Sequence, residues 1–373
     1  MYLNGHIQVT IANKLLKTIV SVHVKNDGHQ IGSDCTIVIP LICTIQYKDG
    51  THDFLTQYSV NSQQTFAVGD PILITANYDG YPQVTLFKGF LFDFLEGTPM
   101  TIKCLDYSYF FNLGIYGTQR VFVKQNKKGT KGFFNTGTFY KSIKLKDLLQ
   151  NIVNFVNDTI DGATTDTDHV VLFEPGNIPD ITLVNITFAM MSPLAILNYF
   201  RKELLFNITL MDNQLYCNVA STTIASVTYR SDTNVLRCDL QKPEAVFQTF
   251  KVKAYFLQNN GLKDSIEVGD TNGKLVEVFF TQAMFGGTRN VTKYTELANE
   301  ALNKAKQRVY GGTITTLLYP IPILFAKANY TDIRYPDRTG NYVTSGYETS
   351  VDANGYRHKV KFSYLTQKFY TNE

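Results

Sequence analysis

The chain of 373 residues contains no tryptophan, and its cysteines are few and odd in number. Cys35, Cys43, Cys104, Cys217 and Cys238 show no Cys-x-x-Cys spacing and no paired histidines beside them. That pattern argues against a zinc site and against a disulfide framework. Buried free thiols in a reducing compartment are the expected state. No long uncharged apolar run is present, so no membrane-spanning helix is expected. The stretch TLLYPIPILFAKANY comes nearest, but its two prolines and Lys327 mark it as strand and turn. The start, MYLNGHIQVTIANKLL, lacks the basic leader, apolar core and cleavage site of a secretory signal. A formal charge of +3 is too small an imbalance to predict a grip on nucleic acid or on a membrane surface.

Motifs for chemistry are equally sparse. The histidines His6, His23, His29, His52, His169 and His358 are scattered, and none stands with an Asp and a Ser or Cys in a nucleophilic pattern. The acidic loop with Asp158, Asp161, Asp166, Asp168 and His169 does not match the spacing of a helix-loop-helix calcium site and reads as solvated. GDTNGK (269–274) is too short for a phosphate loop and has no Ser or Thr after its lysine, so a hairpin turn is expected there. Asp93 and Glu96 are the nearest approach to a carboxylate pair, although charges at strand ends are common. Asn-x-Ser/Thr sequons at Asn157, Asn185, Asn207, Asn290 and Asn329 matter only for a secreted chain. The chain is therefore read as a non-enzyme that carries no cofactor and no metal.

What is abundant is Phe (26) and Tyr (23), with frequent Thr, Val and Ile, which tilts the fold toward β. Runs of alternating polarity are punctuated by KDG, VGDP, DGYP and EGTP, which predicts an antiparallel sandwich or barrel over residues 1–115. Residues 116–235 read as an α+β insertion. LKDLLQNIVNFVND places Leu145, Leu148, Leu149, Ile152, Val153 and Val156 on one helical face. In SPLAILNYFRKELL, Ser192 can cap, Pro193 suits the first helical position, and Leu194, Leu197, Phe200 and Leu204 form the stripe. FNITLMDNQLYCNV reads as two strands joined by an Asp-Asn turn.

Residues 236–310 return to strands with a mixed segment. Its helix, YTELANEALNKAKQRV, has a narrow face of Leu297, Ala298, Ala301, Leu302 and Ala305. Residues 311–373 are again β. There YRHKVKFSY puts Tyr356, His358, Val360, Phe362 and Tyr364 on one face and Arg357, Lys359 and Lys361 on the other, as an edge or lumen-facing strand. The fold class is mainly β with α+β insertions.

The ring-rich stretch VGDPILITANYDGYPQVTLFKGFLFDF (68–94) could be a ligand pocket or a barrel wall. A weak internal echo favours the wall. ITANYDGYPQVTLFKGFLFDF and FAKANYTDIRYPDRTGNYVTSGYE share a strand with Ala-Asn-Tyr, a polar Pro-containing loop, and a second strand with a ring beside a glycine. Two barrels of one kind in a chain would produce this order.

The succession SDCTIVIPL, F-x-x-GDPILITANYDG, TLFKGFLFDF and PMTIKCLDYSYFFNL resembles the first barrel of the phage tail hub family, which includes the type VI secretion spike hub region. LKDLLQNIV, ITFAMMSPLAILNYFRKELLFNITLMDNQLYC and YTELANEALNKAKQRV follow in the family's order. IRYPDRTGNYVTSGYETSVDANGYRHKVKF is similar to its second barrel. The resemblance implies a homotrimeric structural hub with two barrels per chain, joining a sixfold tail tube to a threefold spike. Its implied partners are the tube protein, a separate spike and other baseplate or tail-tip proteins, with DNA only in transit through the lumen. Its implied place is the virion tail, assembled in the bacterial cytoplasm.

Candidate assembly residues on these stretches are Gly69, Asp70, Gly89, Phe90, Gly340, Tyr342, Gly355, Tyr356 and Arg357. The alternatives are a carbohydrate-binding or hydrolytic tail-tip protein and a hexameric tube or distal-tail ring protein.

Overall fold

The alternating polarity of the first hundred residues becomes nine strands in a computed structural model of the chain. The structure describes residues 5–28, 30–47, 49–56, 65–95, 97–113, 124–125, 131–132, 138–163, 168–173, 178, 182–188, 191–204, 208–217, 226–240, 249–257, 263–281, 291–307, 311–353 and 355–364. The strands are β1 (Gly5–Ile11), β2 (Lys14–Leu16), β3 (Ser21–Asp27), β4 (Ser33–Ile39), β5 (Ile42–Gln46), β6 (His52–Thr56), β7 (Pro71–Tyr78), β8 (Val84–Leu95) and β9 (Met100–Leu105). They lie in the order β3-β4-β9-β8-β7-β1-β2-β5-β6. Inward residues from eight of them, including Val9, Val22, Ile37, Cys43, Ile74, Phe87 and Ile102, meet in one core, so the sheet wraps around it.

The chain then leaves this sheet through a short helix, α1 (Ser108–Leu113). It continues through β10 (Lys124–Gln125), β11 (Lys131–Gly132), β12 (Thr138–Lys144), α2 (Leu145–Ala163), β13 (Val171–Leu172), β14 (Thr182–Phe188), α3 (Pro193–Leu204), β15 (Ile208–Met211) and β16 (Gln214–Cys217). All six residues of the expected α2 face are buried. The Ser192 hydroxyl accepts the Ala195 N–H at 3.2 Å, and Pro193 opens α3, as the sequence signal required. Leu197 and Phe200 are buried, and Leu194 is partly so; the Leu204 side chain lies outside the described residues. β15 and β16 form the expected hairpin, with Asp212 in the left-handed region at φ 53°. This insertion has its own core, which also takes in Phe90, Tyr107, Tyr109, Phe110 and Phe111.

The remaining elements are β17 (Val227–Arg230), β18 (Val235–Cys238), β19 (Phe250–Leu257), β20 (Lys263–Gly269), β21 (Lys274–Thr281), α4 (Val291–Gln307), β22 (Gly311–Thr316), β23 (Lys327–Thr331), β24 (Gly340–Asp352) and β25 (Gly355–Tyr364). Six of them form a second unit in the order β17-β23-β24-β25-β22-β18, around a core that includes Tyr229, Ile314, Ala328, Tyr330, Val360 and Phe362. β17 bonds to β23, so this unit begins before residue 235, where the insertion was expected to end.

The first unit contains the same six-strand order, β1-β7-β8-β9-β4-β3, and the matching strands also follow one another in the same order along the chain. The repeat extends to irregularities. β8 bulges between Leu91 and Asp93, and β24 between Thr344 and Gly346. One direction differs, since β1 runs antiparallel to β7 whereas β17 runs parallel to β23. The Ala-Asn-Tyr letters are not the equivalent positions. Counted from the bulges, Ala328 matches Ile72, which pairs with Gly89 as Ala328 pairs with Tyr342, whereas Ala76 lies four residues further on.

Two expectations change. GDTNGK is not a hairpin turn, because β20 and β21 do not pair: β19 lies between them, antiparallel to β20 and parallel to β21. The loop instead crosses the start of β19, where Asp270 N–H donates to the Phe250 carbonyl at 3.0 Å. β25 is likewise not an edge strand, since it lies between β22 and β24, although its faces divide as the alternation predicted. α4 covers the three-stranded sheet with Leu297, Ala298, Ala301 and Leu302, and Tyr294 stacks on Phe256 at 3.9 Å.

The crossing loop leaves no room for a side chain at Gly273, where a Cβ would stand 2.5 Å from the Phe250 carbonyl carbon. Gly273→Ala is expected to cost about 2 kcal/mol or more in denaturant unfolding. Gly162→Ala, in the last turn of α2 with nothing within 4 Å, should be neutral or stabilising by up to about 1 kcal/mol.

Candidate assembly surfaces

Gly69 and Asp70 form the turn that feeds β7. The Gly69 N–H donates to the Leu91 carbonyl at 2.8 Å, Leu91 N–H donates back to Asp70 at 2.9 Å, and Asp70 N–H closes on Ala67 at 3.0 Å. The second unit repeats all three bonds. Phe325 N–H donates to Thr344 at 2.8 Å, Thr344 N–H to Ala326 at 3.0 Å, and Ala326 N–H to Ile323 at 3.2 Å. Both turns need the left-handed region, with φ 96° at Gly69 and φ 59° at Phe325. The Asp70 carboxylate also accepts the Ala67 N–H at 2.8 Å. This turn ties the β7 end to the β8 bulge.

The other expected contact residues are distributed unevenly. Gly89 is buried where the β9 backbone passes close by. Phe90 is 2% exposed and faces the helical insertion, with its ring 4.6 Å from Phe110. Tyr342 is 4% exposed in the second core, stacked on Phe362 at 5.2 Å. Tyr356 is 3% exposed and packs edge-on against Tyr78 of the first unit at 5.3 Å. These rings hold the chain's own parts together. Gly340, Gly355 and Arg357 are half-buried, and the Arg357 guanidinium donates to the Tyr356 carbonyl at 2.7 Å.

The junction between the two units is a continuous strand pairing, and its β24 half lies in the stretch that carried the internal echo. Over Gly346–Val351, β24 pairs antiparallel with Asp27–Val22 of β3. The bulge at Ser345 turns its carbonyl toward Gly28, whose N–H donates to it at 2.8 Å. Lys361 spans the seam, 3.1 Å from Asp27 and 3.6 Å from Glu348. Burial acts to lower its pKa, and the two carboxylates outweigh that and hold it above the ordinary lysine value. Beside the seam, the segment Leu318–Ile321 packs on the first core. Tyr319 donates to the Pro82 carbonyl and stacks on Tyr81 at 5.1 Å.

His358 sits under this segment at 1% exposure. Its Nε2 is 2.8 Å from the Leu318 carbonyl, so that nitrogen carries the proton, and Nδ1 accepts from the Thr349 hydroxyl at 2.8 Å. Burial pushes its pKa down to about 4, against the opposing pull of the carbonyl.

The expected chemical candidates are engaged locally. Asp93 accepts the neighbouring Phe94 N–H at 2.8 Å, and Glu96 lies outside the described residues. In the acidic loop His169 bonds Asp161 at 2.7 Å and Lys88 of β8 pairs with Asp168, while Asp166 lies outside the described residues. Among the sequon residues, Asn157 clips the Val170 backbone, and Asn207 and Asn290 lie outside the described residues. A shallow depression of about 380 Å³ beside β1 and β2 is lined by His6 and Lys17 but no carboxylate. All five cysteines are free. No helix among the described residues is long and apolar enough to cross a membrane, and no group of three or more metal-ligating side chains gathers there.

No family model and no curated protein matches the chain. Solved structures do match. A tail protein from Neisseria meningitidis MC58 superposes with a TM-score of 0.62 at 12% identity, over 96% of each chain. The 43 kDa tail protein of prophage MuSo2 from Shewanella oneidensis gives 0.54 at 12% identity, over 97% of this chain and 98% of the other. A component of the Escherichia coli type VI secretion system, described as similar to T4 bacteriophage tail proteins, gives 0.51 at 8% identity over 98% of this chain and 78% of the other. The chain has the fold of phage tail proteins. The tail-protein fold spans both strand units and the insertions, in keeping with the resemblance carried by the strand and glycine patterns.

Two measurements test this geometry. Gly346→Ala brings a Cβ within 3.1 Å of the Asn26 carbonyl oxygen across the seam, and should destabilise by about 1–3 kcal/mol. Gly340→Ala meets nothing nearer than 3.7 Å and should be close to neutral.

The His358 pKa lies lower folded, at about 4, than its unfolded value of 6.5, so the folded state resists protonation. Its stability contribution is therefore full above pH 6.5 and falls as pH drops toward 4, by about 1.4 kcal/mol per pH unit. Relative to His358→Gln, the native chain should show that slope in unfolding free energy. A pH-independent difference would refute it. The comparison is needed because burial raises Asp106 to about 6, which acts in the opposite sense between pH 3.8 and 6.

Proposed function

We propose that this chain is a non-enzymatic structural hub of a phage tail or related injection machine, in which three copies adapt a sixfold tail tube to a threefold central spike. The observation that carries the reading is the internal repeat: two six-stranded units share one strand order, one bulge and one turn. Three chains with two units each can offer six quasi-equivalent surfaces to a tube while keeping threefold symmetry toward a spike. The tail-protein fold supports the same reading, and the structural neighbours are tail and type VI secretion components.

On this reading the first unit occupies residues 1–115, the second is assembled from 227–240 and 311–364, and the two insertions face other baseplate or tail-tip proteins. The tube protein and a separate spike are the principal partners, and DNA meets the chain only in transit. The place of action is the virion tail, assembled in the bacterial cytoplasm.

Mass measurement in solution tests the reading. A trimer that nucleates tubes when mixed with tube protein is the expected result. A stable monomer that binds glycans would sink it, and a hexamer would favour a ring protein.

A further inference from the structure

One strand of the first unit is paired along only part of one edge. β1 meets β7 over its whole length, Gly5–Ile11, but meets β2 only from Val9 to Ile11. β2 then departs from it, because the Lys17 N–H donates across to the Thr44 carbonyl at 2.8 Å. The Ala12 N–H donates to the Pro71 carbonyl at 2.9 Å, so in this unbroken register the even-numbered residues of β1 turn their backbone groups toward β7. Gly5 and Ile7 turn theirs the other way, onto an edge with no strand against it among the described residues.

This edge is one wall of the depression of about 380 Å³ that Gly5–Gln8 and Leu15–Lys17 line. Strand alternation gives the depression two different sides. On the core side, Ile7 and Leu16 pack with the first core, and the Tyr356 ring lies against Gly5. On the solvent side stand the exposed His6, Gln8 and Lys17. His6 is engaged by Asp79 at 2.6 Å, and Gln8 accepts from Gln83 at 3.3 Å. The Lys17 ammonium has no carboxylate among the lining residues.

We propose that this edge receives an extended segment of a partner protein in which apolar and acidic side chains alternate. The segment takes the place that β2 vacates, and its backbone bonds to the N–H and C=O groups of Gly5 and Ile7. Its apolar side chains rest on Ile7 and Leu16, and its carboxylates face Lys17. Charge complementarity sets the choice of partner, because a basic segment in the same place brings like charge against Lys17. The contact concerns a single copy and needs no symmetry, so it does not rest on the hub reading.

Hydrogen exchange followed by mass spectrometry tests this on the full chain, with two synthetic probes, acetyl-VEVEV-amide and acetyl-VKVKV-amide. The acidic peptide should slow exchange over Gly5–Gln8, and the basic peptide should not. Lys17→Glu, at an exposed position, should weaken the acidic peptide about fivefold and admit the basic one. Equal protection by both peptides on the native chain, or protection by neither, would overturn the proposal, as would an acidic peptide indifferent to Lys17→Glu. Inorganic phosphate at the same concentration should leave these amides exchanging as before. If phosphate protected them equally, the depression would be an anion site and the strand addition would be wrong.

Discussion

The pairing of β3 with the far half of β24 is the contact on which the rest of the architecture depends. It spans six residue pairs, and a backbone hydrogen bond contributes about 1 kcal/mol net. Its larger effect is geometric. By making two curled units neighbours in one sheet, it fixes their relative orientation through strand direction and register, which a side-chain interface alone would specify less tightly. Each local feature beside it serves that approach. The bulge at Ser345 ends the β23 pairing and releases the edge, Gly28 and Gly346 let the backbones close, and Lys361 and His358 satisfy polar groups that the seam buries.

Much of this was legible in the sequence, and the rest for physical reasons was not. Strands with one buried face announce themselves by alternation, and the three long helices by their apolar stripes, because burial acts on each residue locally. Ser192 and Pro193 marked the start of α3 because a helix N-terminus has to satisfy its own N–H groups. What failed was neighbourhood. GDTNGK has the composition of a hairpin turn, yet β19 enters between the strands it joins, and a turn sequence carries no record of a third strand. YRHKVKFSY has the lysines of an edge strand, but its outward face is polar because it meets solvent, while both of its edges are paired.

The expected contact residues show the same limit. Rings and glycines drew attention to Phe90, Tyr342 and Tyr356, but a ring in a β-rich chain signals burial before it signals a partner, and these three fill interiors. The seam residues Gly28 and Ser345 were silent, because their role is to be small or to carry a displaced carbonyl, and Gly346 showed only as a glycine beside a ring in the internal echo. The internal echo was sound as an order of elements even though its Ala-Asn-Tyr letters were four residues out of register. Repeat units keep hydrogen-bond geometry longer than they keep letters, since many side chains are compatible with one bulge.

The turn that feeds β7 and β23 shows how such units diverge without losing the fold. The same three backbone bonds are made by Gly69 in one unit and Phe325 in the other. A glycine takes the left-handed conformation at no steric cost, whereas Phe325 holds it against strain. The difference follows from what lies against each turn. A side chain at 69 would meet the Tyr109 hydroxyl at 3.2 Å, below the helical insertion, so that position stays bare. The ring of Phe325 lies over Gly28, a backbone that stands there only because β3 has docked. One backbone solution thus carries two residues, each set by its neighbour. The insertions follow the same rule at different places: β5–β6 enter between β4 and β7 of the first unit, whereas β19–β21 with α4 enter between β18 and β22, the counterparts of β3 and β4, and in both places the added chain leaves the shared ladder intact.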